Sequence, residues 1–164
     1  MSTPERVSRD IVNMIIARAI ALRSTCTHAQ VGVVITLENR VVSTGYGGAP
    51  SGLPHCTDVG CLEGPDGGCI RTSHAEAGAI AFAARKGISL EGGTLYTTLA
   101  PCLACAKLII NAGIKRVVYL ESYRDPRGLI LLKQAGIEIE GLQFVDSVSI
   151  AVTTCRPQPA PQEE

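Results

Sequence analysis

Two short stretches of this 164-residue sequence combine residue types that can hold a metal ion and move a proton. The first is His74-Ala75-Glu76, and the second is Pro101-Cys102-Leu103-Ala104-Cys105. Two cysteines three apart at a helix start share a face, so both sulfurs can reach one ion. The partial positive charge of a helix N-terminus also favours their thiolates. A histidine opening a second helix would complete three protein ligands and leave zinc's fourth tetrahedral position for water, which marks a catalytic site. Glu76, two residues after His74, lies close to such an ion without having to bind it. It can take a proton from a water whose pKa falls to about 7 on the metal. A lone Cys-x-x-Cys is as often redox-active or structural, and a lone His-Ala-Glu carries no information. Together, each at a helix start and separated by a strand, they point to catalytic zinc.

These residues need elements to position them. Ile11, Ile15, Ala19 and Leu22 recur at helical spacing, which predicts a helix over residues 6–24. Residues 31–36 and 40–44 read as an antiparallel hairpin around the turn-prone Glu38-Asn39. Residues 45–68 are rich in Gly, Pro and Cys and lack periodicity. A loop that long is functional or is held by something other than a core. Residues 74–86 form an Ala-rich helix closed by Gly87, and 94–99 a strand. Pro101 opens a helix to about residue 111, closed by Gly113. Residues 115–121 read as a strand, 127–135 as a helix ended by Gly136, and 137–140 as a last short strand. The order α-β-β-α-β-α-β-α-β predicts an α/β fold, a mixed sheet with helices on both faces.

Length and composition set outer bounds. The expectation is a single domain over residues 1–155, followed by a disordered, Pro-rich tail over 156–164. Lys plus Arg and Asp plus Glu number 15 each, and aromatic residues make up 4%. That balance argues against the basic groove and stacking platform of a nucleic-acid binder. Asn13 and Arg18 interrupt the apolar stretch near the N-terminus, so no membrane association is expected and the location is read as cytoplasmic. Seven cysteines in a reducing compartment suggest metal ligands before disulfides.

On these residues the chain resembles the cytidine deaminase superfamily, and within it the deoxycytidylate (dCMP) deaminases of bacteria and phages. The resemblance spans residues 24–141 and includes Thr44-Gly45-Tyr46-Gly47-Gly48-Ala49-Pro50, the His74-Ala75-Glu76 box and residues 101–113. It implies a three-layer α-β-α fold around a five-stranded mixed sheet, and a homo-oligomer, often a hexamer. It also implies hydrolytic deamination of a small nucleotide-like substrate, with His74, Cys102 and Cys105 holding the catalytic zinc. In that chemistry water adds to C4 of a cytosine ring while Glu76 protonates N3 and then the departing amine. Substrate-side positions implied are Gly47, Ala75, Gly78, Thr98, Pro101 and Tyr123. Arg85 aligns with a position tied to effector response or subunit contact, although a helix-end Arg also simply suits the helix dipole.

Two glycines depart from the family pattern: relatives usually carry Asn where this chain has Gly47 and Gly78. The loss of both amides enlarges the space at the substrate, which leaves a modified cytosine or another cyclic amidine as the alternative substrate class. A nucleic-acid editing deaminase and a non-enzymatic zinc protein are the remaining alternatives. The long loop also suggests a clip. A structural zinc on Cys26, Cys56, Cys61 and Cys69 would supply it, with His28 and His55 as competing ligands and free or transiently oxidised thiols as the alternative. Some bacterial and phage relatives carry a second zinc with ligands matching Cys26 and Cys56. Cys155 is left over as an ordinary thiol.

Overall fold

The computed structural model describes residues 6–65 and 67–143. Among these residues the elements follow in the order α1 (Arg9–Ala21), β1 (Gly32–Leu37), β2 (Arg40–Tyr46), α2 (Cys56–Val59), α3 (Ala75–Arg85), β3 (Thr94–Leu99), α4 (Leu103–Asn111), β4 (Arg116–Glu121), α5 (Arg127–Gln134) and β5 (Glu138–Gly141). The strands form one five-stranded sheet in the order β2-β1-β3-β4-β5. The β1–β2 hairpin is antiparallel, as is β1 with β3, whereas β3, β4 and β5 run parallel. Glu38 and Asn39 both take positive φ, 50° and 62°, the conformation a two-residue hairpin turn requires.

Strand alternation divides the core in two. Val33, Ile35, Leu95 and Val117 face α3, α4 and α5 and pack with Ala79, Ala83, Ile109 and Leu132. Their neighbours Val34, Tyr96 and Val118 face the other way, onto Met14 and Ala17 of α1. Successive residues of one strand point to opposite faces, so a strand buried on both reads as a continuous apolar run. The three-layer mixed-sheet expectation holds.

Two differences concern element ends. The first helix covers less than expected because Ser8 caps it, its hydroxyl accepting a hydrogen bond from the Ile11 N–H at 3.3 Å. The irregular segment contains one helical turn, α2, which is too short to show periodicity in sequence.

Close packing fixes α3 against the sheet. A Cβ on Gly45 would lie 2.1 Å from the carbonyl oxygen of Ala75, so only glycine lets β2 and the start of α3 approach this closely. Ser43 adds a buried hydrogen bond from its hydroxyl to the Ala79 carbonyl at 2.7 Å. Residues 156–164 and Cys155 lie outside the described residues. Among the described residues, no helix is long and apolar enough to cross a membrane.

Candidate metal centre and substrate cavity

The parallel arrangement gathers the chemistry at one end of the sheet. The carboxyl ends of β2, β3 and β4 and the start of β1 all lie there, where open α/β sheets place their ligands. β3 runs out into Ala100 and Pro101 and then Cys102, the N-cap of α4. His74 is the N-cap of α3. Neither side chain caps its own helix, which leaves both free for other partners. Cys105, one turn into α4, is buried. Gly128 sets the local packing, since a Cβ there would sit 2.0 Å from the Pro101 carbonyl oxygen.

Cys102 Sγ and Cys105 Sγ each lie 3.4 Å from His74 Nδ1. Zinc bonds of the usual lengths would set sulfur and nitrogen roughly 3.6 Å apart at a tetrahedral centre. The charges fit a cation as well. Cys105 and His74 hold the Cys102 thiolate down, to about 3, against the cost of burial. Cys102 and burial push the Cys105 thiol the other way, far above its ordinary value. The cluster thus takes one negative charge readily and resists a second, and a divalent ion relieves that resistance. Contact with Cys102 raises His74, against its partial burial.

Glu76 is 4% exposed and its carboxyl meets Cys105. Burial raises it above the ordinary carboxylate range, and its own backbone N–H and the nearby His74 only partly offset this. A carboxyl so placed can take up and hand on a proton beside the metal centre.

A cavity of about 440 Å³ opens over His74, Glu76 and Cys102. Of the expected substrate-side residues, Gly47, Ala75 and Tyr123 line it. The other three stand elsewhere. Gly78 is on α3 with nothing within 4 Å of where a Cβ would be. Thr98 turns its hydroxyl to accept the Gly32 N–H at 3.1 Å, joining β3 to β1. Pro101 is fully buried beneath Cys102. Arg85 is exposed at the end of α3. Sequence reasoning missed Arg124, which lines the cavity beside Tyr123 with its guanidinium 5.8 Å from that ring's centre. Its only signal is a cation just beyond the carboxyl end of β4. His28, weighed above as a metal ligand, also lines the cavity.

A second group of sulfurs stands beside the cavity. Cys26 Sγ is 4.0 Å from Cys61 Sγ, Cys56 Sγ is 3.5 Å from Cys69 Sγ, and all four sulfurs lie within 4.8 Å of one another. Edges of a tetrahedral zinc–thiolate site are roughly 3.8 Å. Burial and then Cys69 push the Cys56 thiol up to about 12. Burial also raises Cys69, but backbone N–H groups at Leu62 and Arg71 outweigh it and bring it down to about 6. Neither histidine joins the sulfurs: His55 Nδ1 pairs with the Thr25 hydroxyl at 3.0 Å.

Residues 7–121 match the family model described as the cytidine and deoxycytidylate deaminase zinc-binding region. The chain belongs to this deaminase family. It is 39% identical over 145 residues to ComE operon protein 2 of Bacillus subtilis, covering 88% of this chain and 76% of that protein. It is 36% identical to the deoxycytidylate deaminase of Enterobacteria phage T2, covering 76% and 87% respectively. The dCMP deaminase of cyanophage S-TIM5, solved in complex with dCMP and dUMP, superposes with a TM-score of 0.74 at 30% identity. That match covers 87% of this chain and all of the phage chain. The fold is therefore that of the dCMP deaminases, and the chain is a deaminase with a zinc-binding cluster.

Proposed function

We propose that this deaminase converts dCMP, or a closely related cytosine nucleotide, to the uracil product and ammonia. The observation that carries the reading is a buried carboxyl, Glu76, beside three convergent metal donors on the floor of a cavity sized for a nucleotide. Arg124 and His28 in the wall supply donors suited to a phosphate. His74, Cys102 and Cys105 would hold a zinc ion, which would supply a water acidic enough to act as a nucleophile near neutrality. Glu76 accepts one proton from that water and places it on ring N3 as C4 becomes tetrahedral. It then carries the second proton to the exocyclic nitrogen, which leaves as ammonia, and N3 keeps its proton in the product. Tyr123 lines the cavity over these groups.

Replacing Glu76 by Ala is expected to retain zinc and to lower turnover by roughly 10³-fold or more. Near-normal ammonia release from that variant overturns its role. Ammonia release from dCMP, deoxycytidine, cytosine and guanine, measured side by side, tests the substrate. Gly47 brings backbone without a side-chain amide to the cavity wall, where a Cβ would meet the Ser24 hydroxyl at 3.2 Å, and the missing amide leaves a second reading, a modified cytosine or other cyclic amidine. Preference for a compound other than dCMP in that panel selects it.

Companion readings go with this function. A structural zinc is held by the four cysteines, whose spacing suits it. Residues 1–155 act as one domain in the cytoplasm and handle a small molecule, with neither nucleic acid nor membrane as partner. The chain assembles as a homo-oligomer, read as a hexamer, supported by Phe82, Leu108 and Ile130, all exposed on α3, α4 and α5. Metal analysis of pure protein is expected to find about two zinc ions per chain.

A further inference from the structure

Part of the cavity wall comes from no helix or strand. Cys26 and His28 contribute to it from the segment between α1 and β1, and Gly68, Cys69 and Thr72 from the segment leading into α3. The second of these segments has little core to hold it. Leu53, Val59, Leu62 and Ile70 are each at least half exposed, at 57%, 53%, 50% and 62%. Its regular structure amounts to the single turn of α2 and isolated bridges at Gly48–Ser73 and Glu63–Cys69. The four sulfurs tie the two segments together, and two of the four, Cys26 and Cys69, belong to the residues that line the cavity.

We infer that the four-cysteine centre is a substrate-positioning site, in which a zinc-class cation fixes the cavity wall and so sets nucleotide affinity. Nucleotide affinity enters from the function proposed above, whereas the dependence of the wall on the ion does not. The catalytic donors stand apart from this dependence, because packing of α3 and α4 on the sheet holds them. Loss of the ion loosens residues 24–31 and 67–73 and leaves the proton shuttle in place. Such a defect weakens binding more than chemistry.

Cys61 is the residue to change, since it belongs to the centre without lining the cavity. A chain with Cys102→Ser and Cys105→Ser together is expected to keep about one zinc, and Cys61→Ser to lose one relative to the unaltered chain. Hydrogen exchange should show amides of residues 24–31 and 67–73 losing protection in Cys61→Ser while those of α3 and β3 keep theirs. KM for dCMP is expected to rise about tenfold with kcat within about threefold. Cys61→His, which restores a competent zinc ligand, should reverse all three effects. Partial chelation of the unaltered chain needs no substitution and must loosen the same two segments. Absence of zinc from the double variant overturns the inference, as does loss of the ion with wall protection and KM unchanged. If the unaltered chain releases no ammonia from dCMP, the proposed function falls, and the exchange result alone decides the fate of the wall.

Discussion

The two sulfur clusters lie in one small molecule, yet they are held by opposite means. His74, Cys102 and Cys105 stand at the first turns of α3 and α4, on helices pinned to a buried sheet. Their positions follow from close packing: Gly45 admits the Ala75 carbonyl, and Gly128 admits the Pro101 carbonyl. Cys26, Cys61 and Cys69 stand on irregular chain and Cys56 on the single turn of α2, among larger apolar side chains such as Leu53, Val59, Leu62 and Ile70 that point to solvent. In the first cluster the fold places the ligands, and in the second, on the inference above, the ligands place the chain around them. A preorganised site can lose its ion and keep its shape. A site that supplies its own framework cannot.

The sharpest way to break this contrast is to remove one ligand from each cluster. Cys105→Ser is expected to reduce ammonia release by roughly 10³-fold or more, since the metal's part in the reaction is lost, while the melting temperature moves by only a few degrees. Cys56→Ser should show the reverse order, with a melting temperature lowered by about 10 °C and a smaller fall in turnover. Calorimetry and an ammonia assay on both variants check this, and equal thermal losses would erase the distinction. A second test damages the catalytic cluster through its framework alone. Gly45→Val drives a side chain into the Ala75 carbonyl and is expected to cost about 2–3 kcal/mol in urea unfolding, with kcat reduced and the four-cysteine metal retained.

The smallest expected effect lies far from both clusters. Arg116 donates to both carboxylate oxygens of Asp10 at 2.9 Å and also meets Glu138 and Glu140, tying α1 to β4 and β5. The guanidinium holds the Asp10 carboxyl below its ordinary value, against the cost of partial burial. A depressed carboxyl stabilises the fold above its unfolded pKa, and that stability disappears as pH falls through the lower folded value. Asp10→Asn is therefore expected to cost about 1 kcal/mol at pH 7. The difference from the unaltered chain should shrink toward zero in acid. The zinc content should be that of the unaltered chain at pH 7, and a lower value would tie the clusters to the sheet's far end.

Much of the framework was legible because its signals are local. The unbroken apolar run of β1, the Ala-rich run of α3, and the glycines that end three helices all act within a few residues. The catalytic donors were legible for the same reason, since a helix start and a short spacing suffice to bring Cys102 and Cys105 together. What sequence could not show was which loops meet across the end of the sheet. Thr98, expected on the substrate side, accepts the Gly32 N–H, a partner 66 residues away, and is not among the residues lining the cavity. Arg124 and His28 reach the cavity from loops 96 residues apart, and no periodicity encodes that meeting. The four cysteines could be nominated by type, but only the folded chain singles them out from His28 and His55.

The tight hairpin turn at Glu38 and Asn39 has a practical side. Because β1 starts at the cavity end of the sheet and runs away from it, this exposed turn sits at the opposite pole of the molecule. A tether, affinity tag or surface linkage introduced there would leave the cavity mouth turned toward solution. Immobilised through that turn, the protein would present its working end outward.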